Sequence, residues 1–205
     1  MLLIENLVGS GSKVKILRLF YEYPNREFST KEVFIDTGVG FGYGLKCLNN
    51  LQESGILGMK KVGKQKRYFL NKENKLYPVL LELFKTESES FPKISYRNRG
   101  ILADIIERLD KETLILFGSV AAGTATRESD LDMLVVYDEP KRKNYIERSV
   151  RQLSKNNKVK IQAIVLDREK LKLMLEKKSE LLKSISREKV FLRGDKKILE
   201  MIERA

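Results

Sequence analysis

The 205-residue chain has no histidine, no tryptophan, one cysteine and four prolines. Without histidine there is no imidazole general base, no histidine-containing zinc site and no Ser-His-Asp triad. Any metal must be held by oxygen, which points to magnesium or manganese. The single Cys47 cannot form an internal disulfide, which fits a reducing compartment, and it reads as a small buried hydrophobe. No apolar run is long enough to cross a bilayer. The opening Met1-Leu2-Leu3-Ile4 is broken by Glu5 and has no basic flank, unlike a signal peptide. A cytoplasmic protein with no membrane partner is expected.

Cations are plentiful: 40 Lys/Arg stand against 28 Asp/Glu, a formal net charge of +12. Such an excess attracts polyanions, nucleic acid and nucleotides among them. Residues 1–86 carry 14 Lys/Arg against 8 Asp/Glu, and the remainder 26 against 20. Both parts are net +6, so the shorter first part is the more densely basic. A hydrophobic fraction of 42% suffices for real cores. The polar stretch Thr86-Glu87-Ser88-Glu89-Ser90, followed by Phe91-Pro92, marks a composition change. It predicts one domain over 1–86, a linker over 87–96 and a second domain over 97–205.

In the first domain, Val14, Ile16, Leu17, Leu19 and Phe20 make the apolar face of a helix that opens at 10–12 and stops at Pro24-Asn25. Ser29 and Glu32 form a capping box for a second helix, with Phe28 and Val33 as its hydrophobic staple. It ends near Thr37-Gly38. Leu45, Leu48 and Leu51 define a third helix, closed by Gly55. Residues 56–62 and 67–70 read as a hairpin with the basic tip Gly63-Lys64-Gln65-Lys66. Two helices joined by a tight turn and followed by a hairpin resemble the winged helix-turn-helix domains of archaeal and bacterial regulators, over roughly residues 10–86.

That resemblance implies DNA binding. The third helix would enter the major groove, presenting Tyr43, Lys46, Asn49 and Asn50. Lys60, Lys61, Lys64, Lys66 and Arg67 of the hairpin suit phosphate contact. Gly40, Gly42 and Gly44 each weaken a helix by roughly 1 kcal/mol against alanine and offer no side chain for readout. Modest sequence specificity, or a helix that starts late, is therefore expected.

The second domain opens with a helix over 97–109, whose Ile101, Leu102, Ile105, Ile106 and Leu109 share one face. The run Thr113 to Phe117 reads as a buried strand, and Gly118-Ser119 follows at once. A short helix starting there would point backbone N–H groups outward, a geometry that binds phosphate. Asp130 and Asp132 come next, two apart on a strand and so on one side of it. Adjacent carboxylates repel unless a cation bridges them. This pattern, in "TLILFGSVAAGTATRESDLDMLVVY", resembles the minimal branch of the polymerase-β-like nucleotidyltransferases, over about residues 97–193. The resemblance implies that Gly118 and Ser119 hold nucleotide phosphates, with help from Arg127. It implies that Asp130 and Asp132 are the catalytic residues and ligate Mg2+ or Mn2+, with a nucleoside triphosphate as substrate or ligand.

Two positions depart from that family. Gln162, on the strand 159–165, stands where a third carboxylate is usual, and a neutral amide is a poor metal ligand. Asp167 lies just beyond and reads as a helix cap. Ala122 replaces an arginine that clamps phosphate. The fold class expected is α+β to α/β: an N-terminal winged helix-turn-helix, then a nucleotidyltransferase-type mixed sheet flanked by helices. The function expected is Mg-dependent nucleotide transfer to a hydroxyl acceptor by a DNA-binding protein. The alternative is a non-catalytic transcriptional regulator or antitoxin-like protein with a degenerate nucleotide-sensing domain. DNA and nucleotide are the expected partners, with a homodimer and a protein partner also open.

Overall fold

A computed structural model describes residues 10–204. The reading of Met1 to Ile4 lies outside these residues. The chain divides into two compact units, one up to Ala103 and one from Asp104 onward.

The first unit begins with α1 (Gly11–Glu22), followed by a short strand β1 (Phe28–Ser29), α2 (Thr30–Thr37) and α3 (Phe41–Glu53). The hairpin β2 (Leu57–Val62) and β3 (Gln65–Leu70) comes next, then α4 (Tyr77–Ser90). The capping box forms as its residues dictate. Ser29 Oγ accepts from the Glu32 amide at 3.3 Å, and Glu32 Oε2 accepts from the Ser29 amide at 2.7 Å. Gly38, at φ +71°, ends α2 in the left-handed conformation. The sheet order is β1-β3-β2, all antiparallel. β1 was not foreseen, being two residues long. The hairpin is tighter than expected: Val62 pairs with Gln65, so only Gly63-Lys64 turn, and Gln65 and Lys66 lie in β3. The core joins Ile16, Leu19, Phe20, Phe28, Val33, Leu48, Leu57 and Tyr68, each 2% exposed or less.

Residues 87–96, expected as a linker, are packed instead. Glu87 lies in α4 and is buried, as are Phe91 and Ile94. Arg18 on α1 grips Glu87 with two hydrogen bonds of 2.7 Å. Arg99, on α5 (Tyr96–Arg108), lies 3.4 Å from Glu87 and 3.3 Å from Glu22. This cluster is what draws the polar stretch inward: the buried charges are tolerable only because they are paired.

The second unit places four strands in the order β6-β5-β4-β7: β4 (Thr113–Phe117), β5 (Leu131–Tyr137), β6 (Ile161–Asp167) and β7 (Lys189–Arg193). β5 and β6 run parallel, while the β4–β5 and β4–β7 pairs are antiparallel, so the sheet is mixed. Between strands lie the short α6 (Gly118–Ala122), α7 (Arg142–Asn157), α8 (Arg168–Glu176) and α9 (Glu180–Arg187), with α10 (Lys196–Glu203) last. One face of the sheet packs Ile115, Leu134 and Val136 against Leu171, Leu182, Ile185, Ile198 and Ile202. Period-2 alternation puts Asp132 in line with Leu134 and Val136, but at the strand's first turn, where this core gives out. Among the described residues no helix is long and apolar enough to cross a membrane.

Candidate active site

The site is built where β4 ends and β5 begins. Phe117, the last residue of β4, lies directly opposite Asp132. The chain then turns at Gly118, whose φ of +71° is left-handed. A Cβ on residue 118 would stand 2.5 Å from Asp132 Oδ2. The carboxylate of Asp132 is thus laid against the backbone at the Gly118-Ser119 turn. No side chain caps the start of α6. Gly123, also left-handed, ends this helix after Ala122.

Asp130 sits one residue before β5, not inside it as the sequence suggested. Its position is set by β6. The amide of Leu131 donates to the carbonyl of Lys160 at 2.9 Å, and Leu131 pairs with Ile161. Parallel register then brings Lys160 and Gln162 to Asp130. Lys160 Nζ lies 2.7 Å and Gln162 Nε2 2.6 Å from Asp130 Oδ2. Those two donors hold the Asp130 carboxyl below the ordinary carboxylate range. Burial, and then the neighbouring Asp130 charge, push Asp132 above it. Proximity of the two acids is therefore felt electrostatically, and the less solvated one bears the cost.

Gln162 is the register partner of Asp132. It thus occupies the position expected from the sequence and turns its amide to Asp130. Lys160 was not singled out beforehand; its place one residue before β6 is the signal that a register argument could have used. Asp167 lies at the far end of β6 and caps α8, accepting from the Lys170 amide at 2.8 Å. It is no third acid for this site. Among the described residues no group of three or more acids, cysteines or histidines could hold a metal. Two carboxylates remain, which suits a hard cation that takes one or two protein oxygens and completes its shell with phosphate and water. Arg127 is exposed in the loop between α6 and β5.

In the first unit, Tyr43, Lys46, Asn49 and Asn50 are exposed on α3. That helix starts at Phe41, so the glycines do not delay it. Gly44 has a packing reason: any Cβ there would collide with the Phe34 ring. Lys60, Lys61, Lys64 and Lys66 are exposed on the hairpin, and Arg67 is half-buried. Across its strands Lys60 faces Arg67 and Lys61 faces Lys66. Two of these cations are partly neutralised: Lys60 pairs with Glu27 at 2.6 Å and Arg67 with Glu32 at 3.7 Å.

Residues 99–197 match the family model of the nucleotidyltransferase domain. The mixed sheet with its flanking helices is consistent with a nucleotidyltransferase-type fold over these residues. One solved chain, from a crystal structure of a toxin-antitoxin with AMP-PNP, is 19% identical with a TM-score of 0.39. The alignment covers 50% of this chain and 82% of that one. No curated protein sequence matches.

Proposed function

We propose that the protein is a nucleotidyltransferase that binds a nucleoside triphosphate and Mg2+ in its second unit and DNA through its first. The observation that carries the transferase reading is the Asp132 carboxylate laid against the Gly118 turn, with Asp130 beside it. Gly118 and Ser119 would receive the phosphates on uncapped backbone N–H groups. Asp130 and Asp132 would hold the cation, which supplies Lewis-acid polarisation of the phosphate when bound. Asp132 must be ionised for this role, and a bound cation would counter the burial and the Asp130 charge that raise its proton affinity. Arg127, on the loop that leads from the turn to the acids, would help hold the phosphates. The acceptor's oxygen would attack the α-phosphorus as the bond to pyrophosphate breaks, and its proton would pass to solvent water. Catalysis would be positioning and electrostatics.

One observation favours a second reading, nucleotide sensing without turnover. Gln162 and Lys160 both donate to Asp130, where a third carboxylate would otherwise strengthen the cation site. The deciding experiment is incubation with α-labelled ATP and magnesium, beside Asp132→Asn. Label transfer that this variant abolishes supports the enzyme. Nucleotide binding without transfer supports the sensor.

For the first unit, the order helix, strand, helix, helix, hairpin supports a winged helix-turn-helix. DNA binding is supported by the Lys61–Lys66 pair, which faces across the hairpin with Lys64 in the turn between them. Like charges directly opposite destabilise a ladder, and a phosphate backbone between them would relieve it.

A further inference from the structure

The helix α7 carries cations that the transferase reading does not use. Its buried ridge is Ile146, Ser149, Leu153 and Asn157. Arg148, Arg151 and Lys155 are exposed and follow one another at steps of three and four residues, so they form one stripe beside that ridge. The rise of a helix spaces them by about 5–6 Å. Lys158 continues the stripe beyond the helix. Among the described residues, none of these four side chains has an ion-pair partner. Other cations of the unit are neutralised, Arg142 by Glu112, Lys143 by Glu147 and Lys189 by Glu203, and those that are not, such as Lys172, Lys177 and Lys196, do not continue this row.

The stripe has a direction. Ser154 Oγ donates to the Val159 carbonyl at 2.9 Å and accepts from the Ile161 amide at 2.8 Å. These bonds tie the C-terminal turn of α7 to the first residue of β6. Lys160, immediately before it, rests on Asp130. The unpaired cations therefore lead along α7 to the end of the sheet that holds Asp130 and Asp132.

We infer that this stripe is a track for the sugar-phosphate backbone of a single nucleic-acid strand, which it delivers to the acidic pair. A row of unpaired cations at helical spacing gives up counterions to successive phosphates, and affinity so won is steeply salt-dependent. An acidic membrane or an acidic protein would also meet cations. A linear stripe that ends at two carboxylates beside a phosphate-type turn fits a strand end presented for phosphoryl chemistry. The identity of the strand as acceptor rests on the transferase reading; its binding does not.

The test uses the full chain, without nucleotide or metal, and a fluorescein-labelled single-stranded RNA or the DNA strand of the same sequence. Its background is Lys61→Ala/Lys64→Ala/Lys66→Ala, which strips the hairpin. Arg148→Ala/Arg151→Ala/Lys155→Ala should weaken binding about tenfold or more and flatten the log–log salt slope by about two. A charge-matched control, Lys172→Ala/Lys177→Ala/Lys196→Ala, should change affinity by less than about twofold, since these exposed cations lie off the stripe. Arg148→Lys/Arg151→Lys should bind nearly as the parent, which separates charge from folding. The two arms show whether the sugar matters. Equal losses in both triple variants overturn the track. So does equal binding to phosphatidylserine vesicles that the stripe variant also loses. Strand binding with this pattern but no label transfer from ATP would leave the track standing and remove the transferase.

Discussion

Gly118 and Asp132 compete for one point in space: a Cβ on the glycine would stand 2.5 Å from Asp132 Oδ2. The same glycine is left-handed. Gly118→Ala is therefore expected to destabilise the second unit by about 1–2 kcal/mol from backbone strain alone. It should also displace the carboxylate and weaken magnesium-dependent nucleotide binding at least about tenfold. Chemical denaturation and calorimetric titration of ATP with magnesium check the two effects. Unaltered nucleotide affinity would mean that Asp132 does not serve the turn.

The two acids respond oppositely to pH. Asp132 has a raised carboxyl pKa, from burial and then from Asp130. Its ionisation opposes folding, so its contribution is complete below the ordinary carboxylate pKa and is lost as pH rises through the raised value. Asp130 is lowered by Lys160 and Gln162, so it contributes above the ordinary pKa and loses that contribution as pH falls. At neutral pH Asp132→Asn should raise the unfolding temperature and Asp130→Asn should lower it. Both differences should shrink as pH drops below the carboxylate range. Calorimetric scans across that range decide it; a lower unfolding temperature for Asp132→Asn at neutral pH contradicts the electrostatics.

Gln162 stands in register with Asp132. Gln162→Glu would add a carboxylate there and remove a donor from Asp130. The magnesium concentration needed for half-maximal nucleotide binding should fall by about tenfold, as a third anion joins two. Without magnesium the variant should be less stable, because three carboxylates then repel. Metal titration followed by nucleotide fluorescence reads both, and an unchanged magnesium midpoint argues against a cation between the acids.

On the hairpin, Lys61 faces Lys66 while Lys64 sits in the turn. Lys61→Ala/Lys64→Ala/Lys66→Ala should reduce affinity for duplex DNA of any sequence by a similar factor and flatten the salt slope by about three. Lys60 and Arg67 are paired with Glu27 and Glu32, so replacing them should matter less. Anisotropy titrations at several salt concentrations test this. A loss confined to one sequence would point to base readout instead.

Glu87 neutralises two buried guanidinium groups, Arg18 and Arg99. Glu87→Gln leaves that charge uncompensated and should cost the first unit about 3–5 kcal/mol. Replacing the Arg18–Glu87 pair together by Met and Leu should recover much of it. Urea denaturation of the full chain measures both. A small loss in the single variant would show that water reaches the cluster.

Adjacent residues carry most of what was legible in advance. The Ser29–Glu32 box, the leucine spacing of α3 and the run from Thr113 to Asp132 are local patterns. Each is written within a few turns or one strand, so propensity and period suffice to read it. The linker failed because composition was the only cue. Thr86 to Ser90 is polar in sequence, yet Glu87 is drawn inside by arginines at 18 and 99.

The sequence by itself determined the capped helix at Ser29–Glu32, the leucine face of α3, the strand at Thr113 to Phe117, and the Gly-Ser and Asp-x-Asp pattern. Only the tertiary structure decided what surrounds those acids. Lys160 and Gln162 reach Asp130 because β6 lies parallel to β5 in one register, across a separation of 30 residues and more. Nothing along the chain encodes that register locally; it follows from packing Ile164 and Leu166 of β6 beside Leu134 and Val136 of β5 on one core face, and a shift of one residue would turn those side chains to the other side.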